Sequence, residues 1–134
     1  MAYIDQDRKR ELAPAIKKIL KANGLSGTLS IRNNSTLVLT IRSGWLDFIG
    51  NRNKTVAAQL DPDDQFIPAI DYMQVNEYRI DSYFSGEAKR ILNDLKSAMM
   101  VGNWDHSDSQ TDYFNVGWYI TINIGRYDRP YRVI

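Results

Sequence analysis

Between Gly27 and Arg42 the chain alternates apolar and polar residues on both sides of Asn33-Asn34-Ser35. Leu29 and Ile31 interleave with Thr28, Ser30 and Arg32. Leu37, Leu39 and Ile41 interleave with Thr36, Thr40 and Arg42, and only Val38 breaks the rule. Period two in residues that suit a pleated surface predicts two half-buried strands. Asparagine tolerates positive φ, so the Asn-Asn-Ser link predicts a tight hairpin. A hairpin with one apolar face is marginal alone and needs a cover, which narrows the rest of the chain to elements able to supply one.

Two helices can supply it. From Asp7 to Asn23, Leu12, Ile16, Ile19 and Leu20 share one face, opposite Lys17, Lys18 and Lys21, and Asn23-Gly24 offers a stop. Pro14 leaves two readings open: a helix starting near Ala13, or a longer one that bends. The second helix opens at Ser85-Gly86-Glu87 with Ser85 as its cap. Ala88, Ile91, Leu92, Leu95, Ala98 and Met99 form its apolar face, and Gly102-Asn103 closes it. Further strands are expected over Asp71 to Tyr83 and Val116 to Ile124, the latter with Trp118, Ile120, Ile122 and Ile124 on one face. Trp45 to Gly50 reads as an apolar turn plugging one edge of the core. Residues 51–68 read as a long loop, and Arg126 to Arg132 as an irregular tail. The expected fold is α+β: a single domain over 1–134, a four-stranded mainly antiparallel sheet with two helices on one face, in the order α-β-β-(loop)-β-α-β.

Composition then removes chemistry. The 134 residues hold 17 basic and 16 acidic side chains, a net charge of +1, which excludes a polyanionic DNA mimic and disfavours a strongly basic binder without forbidding a local patch. There is no cysteine and one histidine, His106, so thiolate chemistry and multi-histidine zinc sites are excluded. No nucleophile elbow or glycine-rich phosphate cradle is present. The polar start and the shortness of every apolar run predict no leader and no membrane span, hence a cytoplasmic protein.

Three candidate surfaces are left. Asp105, His106, Asp108 and Asp112 gather carboxylates that could hold a hard cation, but the spacing is not that of a calcium loop and a solvated, self-capping loop is the simpler reading. Arg126, Arg129 and Arg132 interleave with Tyr127 and Tyr131, and Arg32 and Arg42 lie on the hairpin. If these met on one sheet face, arginines could contact phosphates while tyrosines stack on bases. Alternatively, the tail arginines pair with Asp105, Asp108 and Asp112. Finally, Tyr72, Tyr78, Tyr83, Tyr113, Tyr119, Tyr127 and Tyr131 crowd the second half with Trp104 and Trp118, as in protein-binding surfaces and also in small cores.

Three stretches also carry a family resemblance. They are Lys9 to Lys17, Asn34 to Leu39 with Arg42-Ser43-Gly44, and Ser107 to Tyr119 leading to Asn123-Ile124-Gly125-Arg126 and Pro130-Tyr131. The most specific part is Ser107-Asp108-Ser109-Gln110-Thr111-Asp112-Tyr113-Phe114. Together they resemble a family of small tailed-phage proteins of unassigned function, similar to a domain of large polyvalent proteins in phages and mobile elements. The resemblance spans most of the chain outside 51–68 and brings no catalytic residues with it. It implies a host-directed accessory protein that shields the element's DNA or disables host defence. The resulting expectation is a non-enzymatic protein of the host cytoplasm that needs no cofactor. It would bind and block a host macromolecule, most readily a protein, through Asp105, His106, Asp108, Asp112, Tyr113, Arg126, Tyr127 and Arg129. The alternative is a nucleic-acid-binding module using the arginine- and tyrosine-rich tail.

Overall fold

A computed structural model describes residues 2–61, 63–104 and 116–134. The first helix, α1 (Gln6–Ala22), starts well before Pro14. Its start is set by Asp5, whose carboxylate accepts the Arg8 N–H at 2.9 Å. Leu12, Ile16 and Leu20 are buried, whereas Pro14 lies on the exposed side, so one lost backbone bond opens toward water and the buried stripe holds the helix through it. Gly24, at φ +65°, ends it.

The hairpin forms as β1 (Leu25–Arg32) and β2 (Thr36–Gly44), antiparallel, with Arg32 opposite Thr36. Asn33 and Asn34 both take positive φ, 56° and 52°, the twist that suits a two-strand turn. One bulge interrupts the ladder between Ser26 and Gly27; a Cβ on Gly27 would lie 2.8 Å from the Thr40 carbonyl oxygen, so the strands meet there only through glycine.

The helix α2 (Phe48–Ala57) corrects the expected turn and the first part of the expected loop. Asp47 caps it by accepting the Gly50 N–H at 2.8 Å. Within the segment expected to plug the core, Phe48 and Ile49 are buried, while Trp45 is half exposed and donates its indole N–H to the Asn23 carbonyl. Asn51 and Asn53, which read as loop residues, are tethers: the Asn51 side chain bonds the Ser85 backbone at both N–H and C=O, and Asn53 does the same for Ala69. The strand expected over Asp71 to Tyr83 shrinks to β3 (Met73–Val75) and is followed by a short helix, α3 (Ile80–Tyr83). Asn76 cuts the strand, since its side chain accepts the Tyr78 N–H and its carbonyl accepts the Arg79 N–H. The helix α4 (Gly86–Met99) has the expected apolar face, all of it buried, but Ser85 makes no side-chain cap.

Strand β4 (Tyr119–Ile124) pairs parallel with β2 and antiparallel with β3. A last short strand, β5 (Arg132–Val133), pairs parallel with the end of β2. Among the described residues the sheet is therefore mixed and five-stranded, ordered β1-β2-β4-β3 with β5 beside β2, rather than four-stranded and mainly antiparallel. The central β2 buries Leu37, Leu39 and Ile41, and β4 buries Ile120, Ile122 and Ile124 on the same face. These join the apolar faces of α1 and α4, together with Phe48, Ile80 and Trp118, in one hydrophobic cluster. Both long helices join this one cluster, and among the described residues no helix covers the opposite face of the sheet.

Candidate functional site

Strand alternation decides what the uncovered face presents. It carries Thr28, Ser30 and Arg32 from β1, Thr36, Val38, Thr40 and Arg42 from β2, and Tyr119, Thr121 and Asn123 from β4. No strand of the sheet contains an aspartate or glutamate. A net charge of +1 therefore conceals a segregation among the described residues: their acids sit on helices and loops, and the strands are purely basic or neutral.

The tail completes the site. Gly125, at φ +71°, turns the chain out of β4; a Cβ there would meet the Tyr131 nitrogen at 2.5 Å. Arg126 and Arg129 then pair with each other through two backbone hydrogen bonds, 2.8 and 3.1 Å, around a tip formed by Tyr127 and Asp128. Tyr131 returns to the interior. It is buried, stacks edge-on to Phe48 at 6.0 Å, and donates its hydroxyl to the Leu46 carbonyl at 2.7 Å. Its hydroxyl pKa is pushed up to about 12, first by burial and then by the negative charge of Asp47. With Tyr131 as anchor, residues 126–134 form a wall along the open end of the hairpin.

Between that wall and the sheet lies a groove of about 1080 Å³. Arg42, Arg126, Arg129 and Arg132 line it above a floor of small hydroxyls, including Ser30 and Thr40. Asp128 reaches Arg126 at 3.4 Å; among the described residues Arg42, Arg129 and Arg132 have no carboxylate partner. Arg126 and Arg129 stand directly opposite one another, an arrangement that costs stability between like charges. Nothing in the core requires guanidinium groups here. Four cations converging on a hydroxyl floor make a receptor for a ligand with several negative oxygens.

Of the residues expected to bind, Arg126 and Arg129 line the groove, while Tyr127 is exposed at the loop tip outside its lining. Asp105, His106, Asp108, Asp112 and Tyr113 lie outside the described residues, as does the expected pairing of tail arginines with that loop. Arg42 does meet the tail arginines, but Arg32 stands toward the other end of the face, donating to the Thr121 hydroxyl at 3.4 Å. Of the crowded aromatics, Tyr131 and Trp118 are interior, as in a small core, whereas Trp104, Tyr119 and Tyr127 are exposed. The hydroxyl floor was missed, although the polar half of the hairpin alternation already named its residues.

A smaller cavity of about 360 Å³ lies between the start of α1 and Trp104 and Trp118. Its carboxylates are committed: Asp5 caps α1, Asp7 pairs with Arg10 and Glu11 with Arg8, and the Arg8 guanidinium lies 5.5 Å from the Trp118 ring. Among the described residues no cluster of three or more acidic or histidine side chains could hold a metal ion, and no helix is long and apolar enough to cross a membrane. Comparison with protein-family models, curated proteins and solved structures finds no match. The phage resemblance therefore rests on the residues quoted for it.

Proposed function

We propose that this chain is a nucleic-acid-binding module that holds a sugar-phosphate backbone in the groove between β1, β2 and the tail. The observation that carries the reading is the convergence of Arg42, Arg126, Arg129 and Arg132, three of them without a carboxylate partner among the described residues, on an acid-free sheet end. Guanidinium groups bind phosphate oxygens in bidentate fashion, and serine and threonine hydroxyls add positioning contacts. The groove's described lining holds no acidic side chain, imidazole or lysine, so no side-chain carboxylate there competes with a bound anion for the arginines. The host-directed role implied by the phage resemblance enters here with nucleic acid as the macromolecule engaged. A protein partner, expected first from the sequence, drew chiefly on residues 105–113, whereas the groove is assembled wholly from described side chains.

The test is an anisotropy titration against salt. Contacts to single-stranded phosphates lower log K by about 0.7 per log unit of salt for each charge neutralised. Four groove arginines give a slope of about −3, so raising salt from about 50 to about 200 mM should weaken binding about 50-fold. Replacing Arg129 and Arg132 together by glutamine should halve the slope. Absence of binding at the low-salt end would refute the reading.

A further inference from the structure

We infer that the groove's ligand is single-stranded nucleic acid that runs on along β2 across the open sheet face, with a base stacked on Tyr119; this rests on the nucleic-acid reading above. Among the described residues Tyr119 is the only aromatic side chain that the strands place on that face, and it is 46% exposed. The core has no use for its ring, since Trp118 and Ile120 on either side of it are buried. Its backbone is nonetheless fixed: it lies opposite Thr36, and its N–H donates to the Ser35 carbonyl at 2.9 Å. A rigidly mounted, exposed tyrosine on a polar sheet is a stacking platform.

Charge continues from the groove to that platform. Arg32 lies over the sheet with its guanidinium on the Thr121 hydroxyl, two residues along β4 from Tyr119, and among the described residues it has no carboxylate partner. Thr36, opposite Tyr119, and Arg42, in the groove, are six residues apart on β2, about 20 Å at ~3.3 Å per residue. Between them Thr28 and Ser30 are exposed, Thr40 is half-buried and Val38 is buried; all four side chains are short, so the floor of the path stays low. That length suits a strand of on the order of four nucleotides, the short end of such sites.

Geometry favours one strand over two. A duplex is read by a helix or ribbon that protrudes into its groove. Here α1 and α4 lie on the opposite face, and the open face is recessed behind the tail wall. A single strand presents unpaired bases that can lie on an aromatic ring while its phosphates meet arginines.

The experiment is fluorescence anisotropy at fixed salt with labelled oligo-deoxythymidine, oligo-uridine and a blunt duplex of equal length, with polyglutamate as competitor. Both single strands, or one of the two sugars, should bind at least about ten-fold tighter than the duplex. Tyr119→Ala should weaken single-strand binding by about 5- to 100-fold with the salt slope unchanged, and Tyr119→Phe should restore it. Duplex binding as tight as single-strand binding would overturn this inference. So would an unaffected Tyr119→Ala protein whose salt slope still falls on loss of Arg129 and Arg132, and that result would leave the nucleic-acid reading standing. Displacement by polyglutamate at equal charge concentration would point to an acidic polypeptide and overturn both. Failure of every oligonucleotide to bind at low salt would also overturn both.

Discussion

Replacing Tyr131 by phenylalanine isolates one hydroxyl in the anchor that holds the groove's wall in place. The ring stays against Phe48, so little apolar burial changes. What is lost is the 2.7 Å hydrogen bond to the Leu46 carbonyl. A net hydrogen bond contributes about 1 kcal/mol, and an acceptor left dry adds a part of its desolvation cost, so about 1.5 kcal/mol is expected near neutral pH. For 134 residues the unfolding entropy is about 0.28 kcal/mol/K, which converts this into a Tm drop of about 5 °C. The pH dependence supplies the sharper test. The folded hydroxyl titrates near about 12, the unfolded one near about 10. Below the lower value both states keep the proton and the contribution is complete. Between the two values the unfolded state ionises while the folded state does not, so stability falls as pH rises. The slope is about 0.5–1 kcal/mol per pH unit once residual solvent screening of the hydroxyl is allowed for. The wild-type curve should therefore descend toward the phenylalanine variant and meet it near pH 12. Urea melts of both proteins across that range measure the gap. A gap that is absent near neutral pH would refute the contribution of this bond, and one that persists unchanged through the alkaline range would refute the burial that raises the hydroxyl's pKa.

Two further perturbations probe the scaffold under the groove. Leu39→Ala empties a fully buried site at the centre of β2 and should cost about 2–5 kcal/mol in urea melts, with the slope of the melt unchanged. Gly125→Ala combines a left-handed φ with a Cβ 2.5 Å from the Tyr131 nitrogen; it should cost about 2 kcal/mol and, by displacing the wall, weaken oligonucleotide binding more than an equally destabilising core change does.

The site itself shows where stability was given up. Opposed Arg126 and Arg129 repel, and only Asp128 offsets them within the loop. A turn that served packing alone would be better built without the second arginine. Anchoring through Tyr131 and Gly125 lets the fold hold that pair in place despite the repulsion.

Local pattern alone determined the hairpin and its turn and the apolar stripes of α1 and α4, because each depends on periodicity within a few residues. It did not determine α2 or the shortness of β3. There, Asn51, Asn53 and Asn76 look like loop residues in sequence and become tethers and a strand stop only when Ser85, Ala69 and the Tyr78 N–H come within reach. Nor did it determine the partnering of β4 with β2, since parallel pairing across many intervening residues leaves no local mark. The groove follows the same division. Its arginines and hydroxyls were visible as types and spacings, but which of them converge depends on β5 joining the end of β2, on the turn at Gly125, and on burial of Tyr131. Those are long-range contacts, whose free energy comes from the whole packed core and appears in no single segment.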